Sequence, residues 1–505
     1  MESVGRLGPE AMSSLLELPA EVHEFLLRPT PQTLLVRGPP GCGKSTFALS
    51  LLQNFRGRKF YVTSRVSKAE LLRDHPWLND GSGITVIDSA SRRDTLAESA
   101  RVLASARELI EHPEKEPELQ GLWLPGPIQE VYAEAKESDP IIAVVDSWDA
   151  LVERYLGPPT PGLGGSPDRA EMERLVLDQM ARGPIFLVLV VERDERSQLD
   201  YLVNGVVATR WEVHDGRPER WIDLPKLRGT RIDHPSYPFT LEGGRFQCIL
   251  PLAGRFATRL QAGTKEPDTL PGYLWPGSNE FARAFGRLRI GTISTFERDN
   301  AVPVPAVRLL INPIVAQVAQ HNGRIVHILP PNLPPEEIWQ AYLSLMDTGA
   351  FLRQVRLQIA SGALRIPDEI VPALLPSPIE MGDPASPRTP EAQKFLENAP
   401  AGTQSLSVVW ISGLRALTAT NPVPYTPETL PAIALDYVAR GAVHVVFVGV
   451  KGDPLLDSLK PIASLQLRLR SRAGRSFVYG ETPVTPDYVL SEGDLGSPYH
   501  LLRVV

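Results

Sequence analysis

Cysteine is nearly absent: Cys42 and Cys248 are the two in 505 residues. Two cysteines make neither a disulfide framework nor a paired metal-ligand spacing. Long apolar runs are lacking as well. No window reaches the roughly 18 uninterrupted apolar residues of a spanning helix, and the longest runs, such as Ile185–Val191, have strand length. The first residues, MESVGRLGPEAMSS, show no basic stretch leading into an apolar one, so no signal peptide is expected. Positive charge is short too. Lys plus Arg number 52 against 59 Asp plus Glu, a net charge of −7, which disfavours a generally basic nucleic-acid binder. Lysine is scarcest, 10 against 42 arginines. These absences predict a soluble protein of a reducing, cytoplasmic compartment.

What is present is ordinary globular composition, 43% hydrophobic and 22% charged. At roughly 150 residues per domain the length predicts about three domains, or two larger ones. Proline is abundant, at 49 residues, and concentrates with glycine in three loop-like stretches: Gly157–Asp168, Ala262–Ser278 and Pro376–Gln404. Between them, short Val- and Ile-rich runs such as Thr33–Val36, Ile141–Val145 and Ile185–Val191 alternate with longer stretches of helical period. Continuous apolar strands of this kind imply an α/β fold, a mostly parallel sheet with helices on both faces.

The chain also repeats itself. Leu177–Glu192 (LDQMARGPIFLVLVVE) aligns with Leu435–Val450 (LDYVARGAVHVVFVGV), with 7 of 16 positions identical. Upstream, Val144–Leu151 (VVDSWDAL) parallels the ISGLRAL that ends at Leu417. Leu18–Gly38 likewise resembles Pro276–Glu297. Three matches in one order imply a tandem duplication. The expected domains are 1–262 and 263–505.

Chemistry concentrates in the first. Gly38-Pro39-Pro40-Gly41-Cys42-Gly43-Lys44-Ser45-Thr46 satisfies G-x-x-x-x-G-K-[ST], after a strand (TLLVR) and ahead of an apolar helix (FALSLLQNF). Glycines let backbone N–H groups curl round the α- and β-phosphates, and the helix N-terminus favours negative charge there. Lys44 is expected to reach the β- and γ-phosphates, and the Ser45 hydroxyl to ligate Mg²⁺. Asp146, ending the run Ile141–Val145, is the second expected Mg²⁺ ligand, and Asp149 is read as a cap of the following helix. The expected cofactors are therefore ATP and Mg²⁺.

The first half resembles RecA-superfamily ATPases of the KaiC type, and is most like the archaeal gas vesicle regulator family, GvpD. The residues that carry this are GPPGCGKST, Phe60–Leu78 (FYVTSRVS…HPWL), VVDSWDAL and the strand ending in Glu192. After them come Leu199–Val207 (LDYLVNGVV), Ile222–Thr230 (IDLPKLRGT) and Tyr237–Phe246 (YPFTLEGGRF). The resemblance implies tandem RecA-like P-loop NTPase domains and a homo-oligomer, a hexameric ring among the options. In it Lys226 and Arg228 reach a neighbour's phosphates in trans. It further implies a regulator acting through a protein partner. One departure matters: where such enzymes carry acidic residues after the second strand, this chain has Ser64 and Arg65. Arginine stays protonated and is no general base. Glu70 lies too far along to substitute, so Glu192 is the acid expected to sense the γ-phosphate or position water, and hydrolysis is expected to be slow.

The second half resembles these modules only in outline. Phe296–Arg308 (FERDNAVPVPAVR) stands where the phosphate loop would be, and Ser412 stands where Asp146 would. No K-x-R pair follows Ser476–Thr482. A degenerate, pseudo-ATPase domain is the expectation. Arg468, Arg470 and Arg472 alternate with leucines and are read as the wet face of a strand in preference to an anion or nucleic-acid patch. Arg92 and Arg93 are weak evidence of binding. The competing function is a RecA-like DNA-dependent ATPase of recombination or repair. Net charges of −6 for residues 1–262 (31 basic, 37 acidic) and −1 for 263–505 (21 basic, 22 acidic) disfavour it, since neither half has the positive field that tracks phosphates. A scaffold in which nucleotide is purely structural is the third reading.

Overall fold

The structure, a computed structural model, describes residues 18–78, 82–91, 96–116, 121–135, 140–156, 169–250, 270–329, 335–343, 346–358, 366, 368–375, 394–396, 407–411, 414, 425–441, 443–492 and 499–504. Two compact units divide the chain, one ending at Leu250 and the other running from Pro251 to Arg503. The expected boundary at 262/263 lies outside the described residues, as do Arg92, Arg93, Ser412, the loop 157–168 and most of 376–404.

The first unit is built on a nine-stranded sheet. Its strands are β1 (Thr33–Arg37), β2 (Arg58–Thr63), β3 (Ile84–Asp88), β4 (Ile141–Asp146), β5 (Ile185–Val190), β6 (Gly205–His214), β7 (Arg217–Leu227), β8 (Ser236–Thr240) and β9 (Gln247–Cys248). The order is β3-β2-β4-β5-β1-β6-β7-β8-β9. Strands from β3 to β6 run parallel and β7 to β9 antiparallel. The apolar runs read as central strands are central, with β1 and β5 buried at every position. Side chains alternate across the sheet, so one strand feeds two cores. Leu35, Val62, Val145 and Leu189 pack under helices α4 (Leu96–Glu111), α5 (Gly126–Glu134), α6 (Trp148–Leu156) and α7 (Arg169–Met180). Leu34, Val36, Tyr61, Val144 and Val190 pack on the other face, under α1 (Ala20–Leu26) and α2 (Lys44–Asn54). Beyond those, α3 (Lys68–Asp74) follows β2 and α8 (Leu199–Leu202) precedes β6. β6 and β7 turn at Asp215–Gly216, both at positive φ, the Asp-Gly pairing a tight hairpin favours.

The second unit repeats this plan. After a short pair, β10 (Tyr273–Leu274) and β11 (Leu288–Arg289), come β12 (Ile293–Arg298), β13 (Arg324–Ile328), β14 (Val355–Gln358), β15 (Leu374–Leu375), β16 (Ser407–Ile411), β17 (Val443–Val450), β18 (Leu465–Arg472), β19 (Arg475–Thr482), β20 (Tyr488–Glu492) and β21 (Tyr499–Arg503). Their sheet order is β15-β14-β13-β16-β17-β12-β18-β19-β20-β21. Setting β12 against β1 makes β13, β14, β16, β17, β18 and β19 the counterparts of β2 to β7. The segments paired by sequence therefore fall on equivalent strands: β5 with β17, β4 with β16, β1 with β12. The chain is a tandem of RecA-like α/β domains, each with a mostly parallel sheet between helices, with β15 an addition to the second.

The arginine-rich strand corrects the wet-face reading. On β18 Arg470 is 4% exposed, ion-paired at 2.6 Å to Asp487, itself 1% exposed, and lies against Phe477 and Tyr479. Arg468 pairs with Glu481 at 3.1 Å. The carboxylates come from β19, the antiparallel neighbour of β18, and from the segment ahead of β20. Alternation along one strand reveals a face and not what lies over it.

Candidate nucleotide site

The phosphate-loop motif sits between β1 and α2, at the carboxyl end of the parallel strands, where open α/β sheets bind ligands. Strand β6 forms its floor. A Cβ built on Gly38 would lie 2.1 Å from the Thr209 carbonyl oxygen, so this glycine is required by close approach of two backbones. The Thr209 hydroxyl meets the Cys42 thiol at 2.8 Å, and the thiol donates to the Pro39 carbonyl at 2.7 Å. Gly43 adopts φ 88° at the N-cap of α2, and a Cβ there would press on Phe239 and Leu241 at 3.1 Å. The FTLEGGRF segment thus buttresses the loop, with Phe246 edge-on to Phe47 of α2 and tilted against Phe239 of β8. Lys44 is buried. Its Nζ donates to the Gly38 and Pro39 carbonyls, each at 2.8 Å, which places the ammonium inside the crown of the loop.

Asp146 ends β4, paired across to Thr63 of β2 on one side and Val190 of β5 on the other. The Tyr61 hydroxyl donates to its Oδ2 at 2.6 Å, and the Ser45 hydroxyl is hydrogen-bonded to the same carboxylate. Burial pushes the Asp146 carboxyl above its usual range; Ser45, Tyr61 and Lys44 oppose that shift, and the Glu192 charge adds to it. Burial also holds the Tyr61 phenol well above its ordinary value, so it stays a donor. Ser45 and Asp146 offer only oxygen ligands beside the loop. That donor set suits Mg²⁺, which takes one or two protein oxygens and fills the rest of its octahedron with phosphate and water. Lys44, Ser45, Asp146 and Glu192 lie together at this end of the sheet.

Ser64 and Arg65, at the positions where an acid was expected, do different work. Ser64 is buried; its hydroxyl donates to the Ser147 carbonyl at 2.7 Å and accepts from the Ser147 N–H at 2.8 Å, tying the ends of β2 and β4 together. Arg65 forms an ion pair with Glu192. The cap of α6 is Ser147, whose hydroxyl accepts from the Ala150 N–H at 3.2 Å, and not Asp149. Asp149 is instead a buried hub. It accepts from Arg169 and Arg193 at 2.6 Å each and from the Glu192 N–H at 3.1 Å. Burial works against its ionisation, but the Arg169 bond, the Glu192 N–H and the Arg193 charge outweigh that and hold the carboxyl below its usual range. The same segment grips the loop: the Arg193 carbonyl accepts from Gly38 N–H at 3.2 Å, and the Asp194 carbonyl from Arg37 at 2.8 Å.

The K-x-R pair divides. Lys226 Nζ donates to the Asp200 and Val203 carbonyls at 2.7 Å each, closing the C-terminus of α8 within its own domain. Arg228 is exposed, its backbone carbonyl held at 2.6 Å by Arg28. Reading the sequence missed Tyr61 and gave Asp149 the wrong role. The one signal for Tyr61 was a hydroxyl-bearing aromatic between Phe60 and Val62 in the buried part of its strand.

In the second domain the segment corresponding to the phosphate loop, residues 299–303, joins β12 to α9 (Val304–Gln320). Pro303 caps that helix, Pro305 occupies its first turn, and no residue of the loop takes positive φ. Two prolines remove two of the N–H groups a phosphate cradle needs.

Residues 22–224 match the family model described as the GvpD gas vesicle protein, P-loop domain. Protein GvpD2 of Halobacterium salinarum is 25% identical over 501 residues, covering 95% of this chain and 94% of that protein. Protein GvpD1 of the same organism is 28% identical over 257 residues, 48% of this chain and 43% of that one.

Proposed function

We propose that this chain, close to the GvpD family along nearly its whole length, is a nucleotide-binding regulatory protein of the gas-vesicle kind. Its first domain, a P-loop NTPase domain, binds ATP with Mg²⁺; its second is a pseudo-ATPase domain. The observation that carries this is the meeting of Lys44, Ser45 and Asp146 at one end of the sheet, with the loop glycines held open by β6 and β8. Lys44, now on two loop carbonyls, exchanges them for β- and γ-phosphate oxygens. Ser45 and Asp146 hold Mg²⁺, which when bound neutralises charge developing on the phosphates. Ser64 is committed to the backbone and Arg65 to Glu192, so neither of the two positions at which an acid was expected supplies one to orient water; turnover is slow and binding is the regulatory event.

Arg228, exposed and cationic, suits a role toward a neighbouring subunit's phosphates better than Lys226, whose ammonium serves α8 of its own domain. Nucleotide-dependent self-association and a protein partner complete the reading. The test is direct titration of ATP·Mg²⁺ into the full chain and into Lys44→Ala. Loss of binding in the variant is expected; unchanged affinity sinks the site. Among the described residues no helix is long and apolar enough to cross a membrane.

A further inference from the structure

Three strand ends set the geometry of one ion pair. Thr63 of β2, Asp146 of β4 and Val190 of β5 lie in register across three adjacent strands. Arg65 leaves the sheet two residues after Thr63, and Glu192 two residues after Val190. Their side chains therefore meet across the end of β4, above the residue that would hold Mg²⁺, and the Glu192 charge is felt at Asp146. Strand β1 and its phosphate loop lie on the far side of β5.

The two partners are held differently. The Glu192 main chain is anchored by Asp149 at 3.1 Å, yet its carboxylate is turned to Arg65. Both side chains remain partly exposed, 45% for Arg65 and 32% for Glu192, so exchange of partners needs no unfolding. The neighbouring cations are occupied otherwise: Arg169 and Arg193 on Asp149, Arg37 on the Asp194 carbonyl. A guanidinium fork binds phosphate as readily as carboxylate.

Resting on the nucleotide reading above, we propose that Arg65 is a terminal-phosphate ligand supplied in cis and held in reserve by Glu192. A triphosphate draws the guanidinium off the carboxylate; a diphosphate, lacking the terminal group, leaves the pair closed. The site thereby tells the two nucleotides apart. Each exchange also frees the Glu192 carboxylate at the same end of the sheet.

The experiment is calorimetric titration of ADP and of a non-hydrolysable ATP analogue, with Mg²⁺, into the full wild-type chain and three variants. Arg65→Gln is expected to weaken the triphosphate analogue by roughly tenfold or more, as loss of a charge-assisted bond does, and to leave ADP within about twofold. Glu192→Gln removes the competing carboxylate and is expected to tighten the triphosphate several-fold with ADP unchanged. An Arg65→Gln variant that keeps the wild-type ratio of the two affinities overturns the proposal. If Arg65→Gln binds neither nucleotide, Arg65→Lys decides, since it keeps the charge without the fork: an unchanged ratio again overturns the proposal, and a shift toward ADP upholds it. A wild-type chain that binds neither nucleotide refutes the nucleotide site itself, a separate failure seen before any variant is made.

Discussion

Gly38→Ala is the sharpest test of how the phosphate loop is held. The added Cβ would lie 2.1 Å from the Thr209 carbonyl oxygen and 2.7 Å from its hydroxyl, where contacts of about 3.4 Å are ordinary. Thr209 cannot give way. It is fully buried, in a strand paired to β1 on one side and β7 on the other. The loop must therefore lift by about an ångström, and the φ of 149° at Gly38 is itself unfavourable for alanine. Backbone strain of ~1–3 kcal/mol and overpacking of similar size sum to roughly 2–6 kcal/mol. At 1.4 kcal/mol per tenfold, a loop displaced from its cradle loses at least ~30-fold in ATP·Mg²⁺ affinity. Gly41→Ala is the control: φ is 76°, but no heavy atom lies within 4 Å of the methyl group that alanine would add there, so only the left-handed cost of ~1–2 kcal/mol applies. Calorimetric binding and denaturant unfolding of both variants measure the difference. Equal effects at the two positions, or a Gly38→Ala protein that binds like wild type, would refute the argument that β6 dictates the loop.

Three further outcomes are expected. Lys226→Ala with Arg228→Ala should lower ATP turnover while nucleotide affinity stays, with Arg228→Ala alone giving most of the loss; turnover equal to wild type in the double variant removes the trans role. His444, buried in β17, donates Nδ1–H to the Arg289 carbonyl at 3.1 Å and accepts at Nε2 from Ser294 at 3.0 Å, and burial pushes its pKa down to about 4. Folded, it stays neutral where the unfolded chain takes a proton. The second domain should therefore be fully stable on this account above pH ~6.5 and lose on the order of 3 kcal/mol as pH falls toward 4; His444→Gln should flatten that part of a pH series of melting curves, and an unchanged slope would exclude the cause. Asp487→Ala removes the carboxylate ion-paired to the buried Arg470 guanidinium and should destabilise the second domain by roughly 3–5 kcal/mol in urea unfolding. A loss under about 1 kcal/mol would mean that Arg470 reaches water.

The parts that were legible in advance are those set by neighbours in the chain. The phosphate loop is a short run of glycines that ends in a lysine, and its counterpart, residues 299–303, has neither glycine nor lysine and runs into Pro303 and Pro305. The apolar runs of β1, β4, β5 and β17 could be read as central strands because a strand covered on both faces leaves few polar residues to confuse the pattern. The arginine strand could not. Whether Arg470 meets water or Asp487 depends on how β19 and the following segment return over it. The same limit applied to Asp149, read as a cap because it precedes a helix, although Ser147 caps it and Asp149 binds two arginines.

The sequence by itself determined the α/β class, the tandem repeat, and which copy carries a phosphate loop, since each of these is written in residues a few positions apart. Tertiary structure alone decided which distant groups meet. Tyr61 and Ser45 come to Asp146, Asp149 takes hold of Glu192, and Arg65 closes on Glu192 from 127 positions away, because strand order sets β2, β4 and β5 side by side and register brings their ends level. Chain-local chemistry places a loop; only the pairing of strands places one charge beside another.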